Sequence, residues 1–273
     1  PINQAGDELY FGLAGTNSLD GMEVIPFFQP DKEEFLEYEI SKLVHNLAKP
    51  DKATIGVYSD LPVQSTVDPR TFQPTSAWVF MQQLEELFEV QMIQDLEKDE
   101  LSDLDLLLIV HPKNLSESAL FSVDQYVLSG GKLLAFVDPL AELDQPGPGT
   151  PRVPSKSSDL NAITKKWGVV LREQKILGDP EVALLVGGAD GRPVRHLGIL
   201  GFSQEYLGQD NVVTSSIETV NMATAGIFDL DTSLGTEIET LIRSSASSGL
   251  MDAYQFEFLS NPEDLQKGFS STG

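Results

Sequence analysis

Leu104-Asp105-Leu106-Leu107-Leu108-Ile109-Val110, followed at once by His111-Pro112, is the stretch on which the reading of the fold turns. Five consecutive aliphatic residues cannot alternate between a core face and a solvent face. A strand of this kind is covered on both sides, which is the signature of a parallel sheet flanked by helices. Working outward, Ala53 to Tyr58 and Val90 to Ile93 read as further strands before it, and Lys132 to Val137 as the next one after it. Helical patterns separate them. Ser76 is expected to cap a helix with Phe80, Leu84, Leu87 and Phe88 on one face, and Ser116 a second with Leu120, Val123 and Val127 inward. Gly130-Gly131 stops the latter. Strands alternating with helices predict right-handed crossovers and an α/β fold with a doubly wound, mostly parallel sheet.

The flanks are different in kind. Leu9 to Leu13 and Glu23 to Phe28, around the turn Asp20-Gly21, predict an N-terminal antiparallel hairpin. Asp31 is expected to cap a helix in which Leu36, Ile40, Leu43, Val44 and Leu47 form an apolar stripe ending at Pro50. Residues 1–50 are therefore read as a hairpin and long helix packed on the main body, and 51–140 as the βαβ core. Residues 141–158, rich in Pro, Gly and Ser, are read as a mobile loop or junction. Residues 159–273 look β-richer, either a continuation of the domain or a small second lobe. There Ser157 to Trp167 reads as a helix ended by Gly168, with strands at Val169 to Leu171, Val182 to Val186, Leu197 to Leu200, Val212 to Ser216 and Ala225 to Leu230, and a hairpin turn at Asp190-Gly191.

Composition narrows the function. The 273 residues carry 42 acidic and 18 basic side chains, a formal net charge of -24, and 41% hydrophobic residues. Such a chain has a sizeable core and a surface that repels phosphate backbones, so no nucleic-acid partner is expected. The absence of cysteine excludes disulfides, thiolate metal sites and cysteine nucleophiles. No apolar run reaches the roughly 18 to 20 residues of a membrane span. The chain starts at Pro1 and is read as a piece of a longer protein, so any membrane attachment is expected through segments outside it.

Ligands of doubly wound sheets bind at the carboxyl ends of the strands, where strand order reverses. Ser59-Asp60, His111-Pro112 and Asp138-Pro139 all directly follow apolar strands. Ser59, Asp60, His111 and Asp138 are accordingly the candidate ligand-binding residues, with helix capping and turn formation as the bland alternative. Catalytic motifs are weak. The nearest approach to a nucleophile elbow, Gly201-Phe202-Ser203-Gln204-Glu205, lacks its second glycine. No phosphate-binding loop, dinucleotide fingerprint or zinc spacing is present, and the acidic run from Asp95 to Asp105 lacks the glycine and final glutamate of a calcium loop. That run is read as a solvated loop, and Trp78, Phe80 and Trp167 as core. No catalytic residue, cofactor or metal is assigned.

Several stretches together carry a resemblance: Tyr10 to Leu13, Glu23 to Pro30, Glu34 to Tyr38, Ile55 to Ser59, Leu106 to Lys113, Asp124 to Val127, Gly130 to Leu133, Phe136 to Pro139 and Asn221 to Ala223. In these the chain resembles the auxiliary component of an uncharacterised ABC-type transport system, the family that includes the gliding-motility-associated GldG protein, and it is similar to GIFT-type domains of intraflagellar transport. The resemblance implies a non-enzymatic, extracytoplasmic (periplasmic) accessory domain of a protein anchored in the inner membrane, with an ABC permease and ATPase as partners. Two other readings remain beside it. One is a carbohydrate- or peptide-binding module using the strand-end crevice, and the other a hydrolase or transferase of unknown type.

Overall fold

The computed structural model describes residues 11–48, 52–67, 72–144, 155–188, 191–259 and 261–272. Strands β1 (Leu13–Thr16) and β2 (Met22–Ile25) form the antiparallel hairpin, with Leu13 opposite Ile25 and Thr16 opposite Met22. Leu9 and Tyr10 lie outside the described residues. Asn17 closes the turn, its Oδ1 accepting from the amides of Leu19 (2.9 Å) and Gly21 (2.8 Å). A 3-10 turn, Pro30–Phe35, leads into α1 (Leu36–Ala48). Asp31 is therefore inside that turn rather than capping the helix; Gln29 holds the cap position without a side-chain bond, and Pro30 opens the turn. Proline is preorganised for this place and has no amide left to satisfy. Of the apolar stripe, Leu43 alone is fully buried, while Leu36, Ile40 and Val44 stay exposed. A two-stranded ribbon is too narrow to cover the whole stripe. Gly15 allows the close approach, since a Cβ there would sit 2.6 Å from a Leu47 methyl and 2.7 Å from a Leu43 methyl.

The central body follows. In chain order it comprises β3 (Thr54–Ser59), a small ribbon of β4 (Thr66–Val67) and β5 (Pro74–Thr75), α2 (Val79–Leu87), β6 (Glu89–Met92), β7 (Leu106–Val110), α3 (Glu117–Leu128) and β8 (Leu133–Phe136). Four strands make one sheet in the order β6-β3-β7-β8, and every pair is parallel. β7 sits in the interior, as its unbroken aliphatic run demands. Leu107 and Ile109 pack into one core layer with Ala119, Val123 and Tyr126 of α3. Leu108 and Val110 pack into the other with Met81 of α2. Trp78 and Phe80 join the second layer and Trp167 the first.

Ser116 caps α3 as expected, its Oγ accepting from the Ala119 amide at 3.0 Å. Gly130, at φ +98°, ends the run behind it. Ser76 does not cap α2. The cap position belongs to Trp78, with no side-chain bond, because the chain stays extended through the ribbon before turning. The crossover from β6 to β7 carries no helix. Its coil buries Ile93, Leu96, Leu101 and Leu104 where a helix would lie. The acids there shape turns: Asp99 Oδ2 accepts from the amides of Gln94 (2.8 Å) and Asp95 (3.0 Å), and Asp95 Oδ1 from that of Glu97 (3.0 Å).

The rest is antiparallel. The helix expected from Ser157 starts only at α4 (Asn161–Thr164), and a 3-10 turn carries it to Trp167. Gly168 ends it at φ +84°, where an added Cβ would lie 2.4 Å from the Asp231 carbonyl. Then come β9 (Val169–Leu171), β10 (Lys175–Gly178), β11 (Ala183–Gly187), β12 (Pro193–Ser203), β13 (Thr219–Ala223), β14 (Phe228–Leu230), β15 (Gly249–Asp252), α5 (Tyr254–Glu257) and α6 (Asp264–Lys267). They form the sheet β11-β12-β13 and the pairs β9-β14 and β10-β15. Gly188 donates to the Arg192 carbonyl at 2.8 Å across the β11-β12 turn, whose Asp190 lies outside the described residues. Val212 to Ser216 is a turn instead of a strand. Asn211 overrides the β-branched run by accepting from the amides of Val213, Thr214 and Ser215.

Candidate functional site

Strand order reverses between β3 and β7, so the loops leaving their carboxyl ends define the switch point. The Lys113 amide donates to Asp60 Oδ2 at 2.7 Å and joins those two loops. Ser59 Oγ accepts from the Leu61 amide at 3.0 Å, and Asp138 Oδ1 from the Leu140 amide at 2.8 Å. Two of the four candidate residues, Ser59 and Asp138, thus make turn bonds of the bland kind, and Asp60 ties two loops together. Burial, with the charge of Asp60 next, pushes the neighbouring Tyr58 hydroxyl up to about 12.

His111 is different. It is 2% exposed and sits at φ +51°, in the left-handed region. Its amide donates to the Phe136 carbonyl at 2.8 Å, and the backbone turn drives the ring inward. Nδ1 lies 2.8 Å from Ser158 Oγ and Nε2 3.4 Å from Asp144 Oδ2. Lys113 Nζ pairs with the same Asp144 oxygen and also donates to the Ser155 carbonyl at 2.8 Å. Ser158 Oγ accepts from the Asp138 amide at 2.8 Å, and the Ser158 amide donates to the Asp138 carbonyl at 2.7 Å. Donors and acceptors balance when the Ser158 hydroxyl donates to Nδ1 and Nε2–H faces the carboxylate; the tautomer is assigned from this network. Burial disfavours charge on Asp144, but the hydrogen bonds from Lys113 and His111 outweigh it and hold the carboxyl below its ordinary value. Asp138 goes the other way. Burial pushes its carboxyl up, against the Leu140 amide and His111, and the charge of Glu142 adds to the rise.

Lys113, Asp144 and Ser158 are the members that sequence reasoning missed. Asp144 and Ser158 fall in the Pro/Gly/Ser-rich stretch read as a mobile loop. Lys113 follows His-Pro directly, and this closeness to a strand end was the one available signal.

The candidate residues open on two cavities. Ser59 and Asp60 line a cleft of about 300 Å³ with Gln64 and Gln94. His111 and Asp138 line a larger one of about 610 Å³, walled by Leu61, Trp78, Phe80, Phe136, Leu140 and Leu143. Glu142 and Thr224 complete its polar rim. Ser203 lines neither cavity: it ends β12, exposed, with its hydroxyl donating to Glu205 at 3.1 Å. Among the described residues, no group of three or more His, Cys, Asp or Glu is placed to hold a metal ion. No helix among them is long and apolar enough to cross a membrane.

The architecture is that of an α/β domain whose parallel sheet presents a largely apolar cavity at its switch point. Residues 52–273 match the family described as ABC-type uncharacterized transport system, and the chain belongs to that family, the auxiliary components of ABC-type transport systems. No curated protein and no solved structure gives a significant match.

Proposed function

We propose that this chain is a non-enzymatic, extracytoplasmic accessory domain that acts by binding, with the permease and ATPase of its transport system as partners and the strand-end cavity as the place where it holds cargo. The commitment of His111 carries this reading. Ser158, His111 and Asp144 line up as hydroxyl, imidazole and carboxylate, but the serine is 1% exposed and the histidine 2%. Nucleophilic catalysis needs a hydroxyl that can reach a substrate carbonyl, and this one is enclosed. Ser158 instead accepts from a backbone amide and braces the loop after β8. Such a cluster stiffens a cavity wall and leaves the cavity to bind.

The lining favours an apolar ligand or peptide side chain over a carbohydrate, which needs a denser array of donors and acceptors. Periplasmic location and kinship with gliding-motility and GIFT-type proteins belong to the same proposal. Its test is affinity purification of the tagged full-length protein from membranes under mild detergent. The permease and ATPase are expected to co-purify in near-equal amounts. Their absence, from membranes that contain both, overturns the proposal.

A further inference from the structure

We infer that the strand-end cavity selects an amphiphilic cation: an apolar body bearing one ammonium or guanidinium head that settles against Asp138. The inference rests on the reading of this cavity as a binding site and goes on to name its ligand class. The volume, about 610 Å³, lies within the range that encloses a small organic ligand. The walls are aromatic and aliphatic. Trp78 and Phe80 meet edge to face, with ring centroids 6.1 Å apart. Ring faces attract cations as well as apolar groups.

The charge balance sets the sign. Among the described residues, the lining contains Asp138 and no lysine or arginine. Lys113, two residues after His111, is already bound to Asp144 and to the Ser155 carbonyl. His111 is engaged with Asp144 and Ser158. Asp138 uses Oδ1 for the Leu140 amide, and no hydrogen bond among the described residues reaches its Oδ2. This carboxylate is half-buried beside apolar walls, with the charge of Glu142 near enough to raise its proton affinity. A cationic head relieves both the desolvation and the repulsion, whereas an anion would worsen both. The chain's formal charge of -24 concentrates cations at the mouth as well.

Three probes of matched shape decide the matter: 4-phenylbutylammonium, 4-phenylbutanol and 4-phenylbutanoate, titrated calorimetrically at fixed ionic strength. The ammonium is expected to bind about tenfold or more tighter than the alcohol, and the carboxylate weakest. That tenfold is about 1.4 kcal/mol, an exposed-to-buried charge contact. Asp138→Asn retains an oxygen for the Leu140 amide and is expected to erase the preference while leaving alcohol binding intact. Phe80→Ala is expected to weaken all three probes alike. Equal affinities of ammonium and alcohol, or a preference that survives Asp138→Asn, overturn the cationic class and leave the cavity as a binding site. Binding of none of the probes overturns the cavity assignment itself, while co-purification judges the transport partnership separately.

Discussion

Asp179→Ala is expected to lower the unfolding free energy by about 4 kcal/mol in urea denaturation, from two buried donors left unsatisfied at roughly 2 kcal/mol each. Asp179 follows β10 and is wholly buried. Its Oδ2 accepts from the Ser245 amide at 2.7 Å, while Oδ1 accepts from the Ser245 hydroxyl at 2.7 Å and the Glu181 amide at 3.1 Å. Between β14 and β15 the chain runs without a regular strand or α-helix. This carboxylate fastens its later part, beside a backbone bridge in which Gly208 donates to the Leu241 carbonyl at 2.8 Å and Arg243 to the Tyr206 carbonyl at 3.0 Å. Alanine would leave two buried donors on Ser245 unsatisfied. Asp179→Asn is expected to cost about half as much, since one amide oxygen still accepts. A loss under about 1 kcal/mol for the alanine variant would show that the backbone bridge at Leu241 and Arg243 holds the segment without the carboxylate.

His111→Ala ranks second, at about 3 kcal/mol. It leaves the Ser158 hydroxyl without Nδ1, removes one bond to Asp144 and hollows a packed wall of the cavity. Histidine already carries the cost of about 1 kcal/mol that φ +51° imposes on a residue with a Cβ, and alanine keeps it. Asparagine tolerates that region better, so His111→Asn is expected to lose about 1 kcal/mol less than His111→Ala. Equal losses would remove the backbone from the account. Acid should act on the same cluster. The carboxyl of Asp144 lies below its ordinary value in the folded chain. Its contribution is therefore complete above that ordinary value and fades as the pH falls through the lowered one. In His111→Ala this acid-side loss should be smaller, because one of the two bonds that lower the value is gone.

Which parts of this were legible follows from how local their causes are. β7 announced itself because five aliphatic residues admit only a doubly covered strand, and α3 because Ser116, its apolar face and Gly130 sit within fifteen or so residues of one another. Asp31 and Ser76 looked like caps by residue type, yet capping also needs the chain to turn at that residue. Proline 3-10 geometry moved the first start and an extended ribbon delayed the second. Val212 and Val213 had strand propensity, and one asparagine carbonyl and side chain before them outweighed it. The strand-end positions were readable from topology, but their roles were not. Ser158 reaches His111 across 47 residues of sequence and a Pro/Gly-rich stretch, and nothing in residue type foretells the positive φ that turns the ring inward.

The coil that replaces a helix between β6 and β7 has a consequence for motion. A helix would tie most of its amides into a cooperative ladder. This segment has a handful of turn bonds, among them Asp99 to Asp95 at 2.9 Å, and relies on four buried side chains instead. β6 is one edge of the sheet and pairs with β3 alone, as β8 at the other edge pairs with β7 alone. β6 runs directly into the coil, so this edge and the coil should open ahead of the interior strands β3 and β7. In hydrogen exchange, the amides of β6 are expected to lose protection as a group while those of β7 follow global unfolding. The cavity, lined from the ends of β7 and β8 and from the loop after β3, takes no residue from the edge expected to open first.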